Sequence, residues 1–467
     1  NNAAIRSATA NTTGFGASNG GTLTNTNTGD LTGLRSNGVI VGAQGTVRNS
    51  GTISVANGNG ALVQGAGASL INDGTIQAND GMAAVHLTGT GASVAFAGTG
   101  LITAGGTANG ILIDSTAIGG AVTGTAGRIV TNGSGAALNN QAAGASIDLT
   151  NTTVTANGTG AAGIGSFGVN GDIDVRGGAV TANGTNGIGI YVGGRGTLNT
   201  TNTAIATTGA GSRGVVIDSG AVGIINGGTI SAGGANATAL YVMGPTGSAT
   251  VTGTALTSTL GAGATSNAGG TFTLNGSTVR GGSSAIAITD TTMSSDLSTV
   301  NVNGGSLAAT AGSTIDVNGA RAAITIANNA SLTSSTGTLL NLRNASRATV
   351  NVDNTRLVGN LLGDATSTGA VTLRNGSALT GYVDTMGLAI DGTSAWNVTA
   401  NSRLTALNNA GSITFVAPTG PATAAGSYKT ITTNSYAGTN GTLAINTFLG
   451  ADNSPTDKVV IAGGTAT

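Results

Sequence analysis

An aliphatic residue that returns about every 25 positions constrains this chain more than any other feature. It stands at Ile53, Ile76, Ile102, Ile129, Val154, Val180, Ile205, Ile230, Leu256, Val279, Leu307, Leu332, Leu357, Leu379 and Leu404, anchors spread over 351 residues. The stretch from Ile173 to Gly184 shows the unit around an anchor: Ile-Asp-Val-Arg-Gly-Gly-Ala-Val-Thr-Ala-Asn-Gly. Aliphatics alternate with polar residues, a Gly or Asn corner follows, and one more aliphatic leads into a second turn. Alternation with period two is a strand signal, and Gly and Asn mark corners. A fixed period in this range predicts a solenoid in which each repeat is one coil.

Leucine-rich repeats have a similar length but need a helical return arm, and this chain is poor in helix formers. It has no Glu, two Lys (Lys429 and Lys458) and four Gln, so strands must carry the coil. The expected fold is an all-β right-handed parallel β-helix of about 25 residues per coil and roughly 18 or 19 coils. Stacked at about 4.8 Å, they would form a rod about 90 Å long. A globular chain of 467 residues would split into two or three domains. A solenoid escapes that limit because its core grows lengthwise. With 83 Gly and only 7% charged residues, a featureless chain would be disordered, but here every coil has its apolar stripe.

The net charge is −1 and no basic run is present, so no nucleic acid partner is expected. No apolar run of about 18 residues offers a membrane-spanning helix. Without Cys there are neither disulfides nor thiolate metal sites. Starting at Asn1-Asn2, with no initiator Met and no signal peptide, the chain is expected to be a processed or excised piece.

Residues 1–45 read as one or two imperfect coils, with Asn-Thr-Asn-Thr at 25–28, apolar Leu23, Leu31, Leu34, Val39 and Val41, and a cap expected upstream. Beyond them, a further strand shows between anchors, as in Ile111-Leu-Ile113, Ile188-Gly-Ile190, Val215-Val-Ile217, Ile286-Ala-Ile288 and Ile324-Thr-Ile326. Four residues before the anchor stand Asn49, Asn72, Asn226, Asn275, Asn303, Asn328 and Asn375. Asn at a tight corner bonds to backbone and to the next Asn above it, so these residues are expected to form a structural ladder. Six before the anchor stand Asp148, Asp174, Asn199, Asn301 and Asn351. Asp148 and Asp174, one coil apart, must repel, share a cation such as calcium, or borrow Arg176. The widest step, Val279 to Leu307, exceeds the mean by three residues, so no side domain is expected.

Composition changes near residue 380, dividing a β-helical stalk (1–380) from C-terminal coils (381–467). Tyr382, Trp396, Phe415, Tyr428, Tyr436 and Phe448 are six of the twelve aromatics, and three of four Pro lie there too. Large rings make this end the expected site of greatest stability. Trp396-Asn-Val-Thr-Ala-Asn-Ser-Arg-Leu404, Leu407-Asn-Asn-Ala-Gly-Ser-Ile-Thr-Phe415, Tyr428-Lys-Thr-Ile431, Tyr436-Ala-Gly-Thr-Asn-Gly441, Leu443-Ala-Ile-Asn-Thr447 and Asp452-Asn-Ser-Pro-Thr-Asp-Lys-Val-Val-Ile461 follow in order. This series resembles the autochaperone region that ends the passengers of autotransporters (type V secretion) of the pertactin-like and AIDA-type adhesin families. The resemblance covers about 75 residues and implies a bacterial surface protein followed by an outer-membrane β-barrel translocator. It implies that the C-terminal coils fold first, with Trp396, Phe415, Tyr428, Tyr436 and Phe448 as their core. Because the series stops at Thr467 inside what reads as an unfinished coil, part of the folding segment is expected beyond it.

Catalysis has little to work with. The lone His, His86, sits beside an apolar strand, where a structural role is expected. Asp114 and Asp218 each follow Ile, but four coils separate them, too far for one substrate bond. The Gly-Asp-Ser-Gly and Gly-Asp-Ser-Leu motifs of passenger proteases and esterases are missing, as is the calcium-binding nonapeptide. No enzyme activity, metal or cofactor is therefore expected. Arg356 and Arg403, each just before an anchor, with Arg343, Arg347 and Arg374, are candidates to meet sulfated glycans. Tyr191 and Tyr241, two coils apart, are candidates for sugar stacking. The expected function is a surface adhesin whose partners are host glycans, an extracellular-matrix protein or identical passengers on other cells. The alternatives are a passive stalk for another domain and a polysaccharide-active enzyme.

Overall fold

The computed structural model describes residues 4–6, 13–26, 30–34 and 36–467, so Asn1, Asn2, Asn27, Thr28 and the side chains of Leu31 and Leu34 lie outside the described residues. It is an all-β parallel β-solenoid of about 18 turns with about 25 residues per turn. Two compact units divide it, Asn1–Gly261 and Ala262–Thr467. Among the described residues the single helical turn is a 3₁₀ turn, Ala425–Ser427.

In the first unit each coil has three short strands. One coil runs through Asp172–Arg176, Ala179–Ala182 and Ile188–Val192, and the next through Thr197–Thr201, Ala204–Thr207 and Arg213–Ile217. Parallel pairing sets Ile173 beside Leu198, Val180 beside Ile205 and Ile190 beside Val215. All six are buried. Polar residues between them point outward, the alternation that a half-buried strand demands. The anchors from Ile53 through Ile76, Ile102, Ile129, Val154, Val180, Ile205 and Ile230 to Leu256 form one continuous ladder of inward side chains. Each rung buries an aliphatic group that contributes about 1.5–3 kcal/mol.

Corners are fixed by backbone as much as by side chains. Asn151, Gly177, Asn202 and Gly227, one coil apart, have φ of 50°, 65°, 52° and 64°, a left-handed conformation that Gly and Asn tolerate best. At another corner Gly133, Gly158, Gly184, Gly209 and Gly234 stack. A Cβ on any of them would stand 1.7–2.0 Å from the carbonyl oxygen of the glycine one coil earlier. Here glycine is required by closeness of approach.

In the second unit, Val279, Leu307 and Leu332 continue the anchor pattern. A separate ladder then begins at Arg356–Val358, pairing Leu357 with Leu379, Leu379 with Trp396 and Trp396 with Ile413. Leu404, expected as the anchor after Leu379, therefore lies elsewhere: it pairs with Met386 and Thr433. The cause is a shortened coil. Val383–Ile390 is one eight-residue strand that pairs with both Asn360–Gly363 and Thr368–Arg374. Two strands have merged, and the residues of a corner are saved. Ser402–Asn409 repeats the device against Thr430–Thr433 and Tyr436–Gly438. Arg356 and Arg403 consequently stand on different sheets, not in one column. The compositional change near residue 380 falls inside this unit.

Candidate functional site

Asn side chains are hydrogen-bonded from coil to coil in two separate stretches of this column. Asn25 Nδ2 donates to Asn49 Oδ1 and Asn49 Nδ2 to Asn72 Oδ1, both at 2.7 Å, with all three side chains fully buried. Asn49 and Asn72 also donate to Gly51 and Gly74 carbonyls, so buried amides and corner backbone satisfy each other. Further on, Asn303 donates to Asn275 at 3.2 Å and Asn328 donates to Asn303. Asn226 is exposed between Thr201 and Thr252, and Asn375 donates to Asp353 at 2.8 Å, so neither has an Asn rung. A third ladder was not expected: Asn183 donates to Asn157 and Asn157 to Asn132 on the exterior.

Several outward charges have partners one coil away. Arg176 answers the Asp148–Asp174 question by donating to both carboxylates, with Nη1 2.9 Å from Asp148. Arg343 grips Asp316, Arg374 Asp353 and Arg403 Asp384 at 2.8–3.0 Å. Three of the five proposed glycan-binding arginines are thus engaged within the chain. Arg356 is exposed at the start of its strand, and Arg347 stands directly beside Arg321 in register.

Carboxylates at the corners are likewise occupied. Asp114, Asp290, Asp364 and Asp391 each accept the backbone N–H and the hydroxyl of a Thr two residues later, at 2.7–3.1 Å. The signal, Asp-x-Thr, was present in the sequence as a turn motif. Hydrogen bonds from Thr116 hold Asp114 below the usual carboxylate range. Among the described residues, no three of His, Asp and Glu converge to hold a metal ion.

The two tyrosines are two coils apart as expected, with Val216 between them in register. Tyr191 stacks on Phe167 with ring centroids 4.6 Å apart and donates its hydroxyl hydrogen to Asp218. The Arg213 guanidinium lies 4.2 Å above the Tyr241 ring. Both rings are half-buried and already have partners, while Phe167, which the sequence did not mark, is 53% exposed. Of the aromatic core residues, Trp396, Phe415 and Tyr428 are buried, and Tyr436 and Phe448 are partly exposed.

His86 is buried between Leu62 and Leu112 of the neighbouring coils. Its Nε2 is 3.7 Å from Asp114 Oδ2, too far for a hydrogen bond, and neither ring nitrogen has a partner. Burial pushes its pKa down, against the opposing pull of Asp114. The unfolded state, with an ordinary His near pH 6.5, then takes up the proton more readily than the native state. His86 should therefore cost stability progressively as pH falls below about 6.5. The melting temperature is expected to drop on acidification from pH 7.5 to 5.0, and to drop less in His86→Leu. An equal drop in both proteins would show that His86 does not titrate with unfolding.

Among the described residues no helix is long and apolar enough to cross a membrane. Residues 402–467 match the family model described as Autochaperone Domain Type 1. No curated protein matches the chain. An autochaperone domain implies work with an outer-membrane translocator and a passenger at the cell surface or anchored at the outer membrane. Carried on an all-β parallel solenoid, the type 1 autochaperone domain fits the chain to the autotransporter passengers.

Proposed function

We propose that this passenger is an adhesin that acts by self-association with identical chains on other cells. One observation carries the reading. On the anchor-bearing sheet of the first unit, an outward column runs through Thr103, Val130, Thr155, Thr181, Ala206 and Ser231, one residue per coil. The column beside it runs through Leu101, Arg128, Thr153, Ala179, Ala204 and Thr229, and Arg128 is the one charge in the two. Such a face offers hydroxyls at six of its twelve positions, Thr103, Thr153, Thr155, Thr181, Thr229 and Ser231, on strands stacked about 4.8 Å apart that lose little freedom on contact. Many weak bonds in series then add to a firm union without a deep pocket.

The test is aggregation of cells that display the whole protein. Thr155→Arg with Thr181→Arg places two like charges on each facing surface, and settling of the cells should be lost. Thr273→Arg, on a different strand of the second unit, should leave settling unchanged. Aggregation that survives the double substitution, at equal surface display, would overturn the proposal.

A further inference from the structure

A second surface carries chemistry of a different kind. Arg321 and Arg347 open the seven-residue strands Arg321–Ala327 and Arg347–Asp353 and pair in direct parallel register. Their backbones are therefore one coil apart, about 4.8 Å. Both side chains are exposed. Two like charges on adjacent strands repel, and in this unit Arg343, Arg374 and Arg403 are each cancelled by an Asp, Asp316, Asp353 and Asp384 respectively. Among the described residues neither Arg321 nor Arg347 has a carboxylate within ion-pair distance. Arg321 Nη1 donates to the Ser295 carbonyl at 3.0 Å, which steadies that guanidinium without neutralising it. Asp290, in the lining of the same concavity, is turned into its own loop, accepting from Thr292, Ser294 and Ser295, and Asp296, next to the Leu297 that pairs with Arg321, forms no ion pair with either arginine among the described residues.

The pair also stands where a ligand has room. Arg321 and Arg347 form the shared wall of two open concavities of about 420 and 570 Å³. The first is floored by small residues, Ala322, Ala348 and Gly369, with Leu297 at one end. From these two strands and the strand on either side of them a row of Asn301, Thr325, Asn351 and Thr372 faces outward, again in register. Cations, an apolar end and a line of amides and hydroxyls thus lie on one sheet.

We propose that Arg321 and Arg347 together bind one anionic group of an acidic oligosaccharide whose rings extend over the Asn and Thr row. Paired guanidinium forks match the planar carboxylate of a uronic acid or the oxygens of a sulfate ester. The rows of Asn and Thr match sugar hydroxyls, which both donate and accept. Nucleic acid suits the site poorly, since a phosphate chain calls for many cations and the neighbouring arginines are already cancelled by Asp. This site is built from residues of the second unit and the self-association face from residues of the first, and its occupation does not depend on that reading.

The purified chain should be titrated with fluorescently labelled heparin-derived oligosaccharide, oligogalacturonate, neutral dextran, oligo-thymidylate and polyglutamate. Binding is expected for one or both acidic sugars, weakening as salt rises, and the preferred arm tells sulfate from carboxylate. Arg321→Ala with Arg347→Ala should weaken binding at least tenfold, about 1.4 kcal/mol. Arg347→Glu should weaken it as much, and it breaks no hydrogen bond or ion pair of the side chain among the described residues. Arg343→Ala, which removes a paired arginine, should change affinity less than about twofold. Dextran, oligo-thymidylate or polyglutamate bound as well as the acidic sugars would overturn the proposal. Unchanged affinity in Arg347→Glu would overturn it too, whether or not displayed cells still aggregate.

Discussion

Gly184→Ala is expected to unfold its neighbourhood. The added Cβ would sit 1.9 Å from the Gly158 carbonyl oxygen, far inside contact distance, and Gly184 is itself the floor for Gly209. In a helix or an exposed loop the same change often stabilises, by about 0.4–1 kcal/mol, through the entropy of the unfolded chain. That gain is overwhelmed here. The obstacle is backbone, which cannot rotate away as a side chain can, so the cost should exceed the roughly 1–3 kcal/mol typical of an overpacked core. Because each coil leans on its neighbours, damage should spread along the stack but fade with distance. Hydrogen exchange should quicken in the strands Ala179–Ala182 and Ala204–Thr207, with a lowered thermal melt by circular dichroism. Thr181→Ala, an outward change in the same coil, should have little effect. A parental melt and parental exchange in Gly184→Ala would contradict the close stacking.

The same glycines show what the sequence could and could not tell. That Ile and Val anchors overlie one another was legible, because burying a stripe leaves a strict period that any reader can count. That Gly184 must be glycine was not, since a turn glycine and a close-approach glycine look alike until the next coil is in place. Leu404 fits the count yet is not an anchor. Merging Val383–Ile390 into one strand moved the column to Trp396, and nothing in aliphatic spacing reports a corner that has been removed. Partnered charges were hidden for a related reason. Arg343 finds Asp316 27 residues back, while Arg403 finds Asp384 only 19 back, so no single offset reveals them all. Arg321 and Arg347, by contrast, are one ordinary coil apart, and the period itself would have joined them.

Trp396→Ala should be the most damaging core substitution in the second unit. Trp396 is 0% exposed and is the largest fully buried side chain in the chain. It lies between Leu379 and Ile413 in a ladder whose coils have been shortened, so its ring fills space that three-strand coils fill with several aliphatics. Truncation leaves a cavity costing about 3–5 kcal/mol. It also removes the indole N–H that donates to the Gly381 carbonyl at 3.0 Å, leaving that oxygen only the longer bond from the Thr399 N–H at 3.4 Å, a further loss of about 0.5–1.5 kcal/mol. Trp396→Phe keeps much of the volume and loses the hydrogen bond, so it should fall between the parent and Trp396→Ala. Urea unfolding followed by circular dichroism, with hydrogen exchange over Ala378–Gly381, Ala395–Val398 and Ser412–Phe415, separates the three. Exchange there should collapse in Trp396→Ala at urea concentrations that leave the parent protected. If the Ala variant kept its protection, the stability of these coils would have to come from their strand pairing alone, and the indole would be filling space that neighbouring side chains can close.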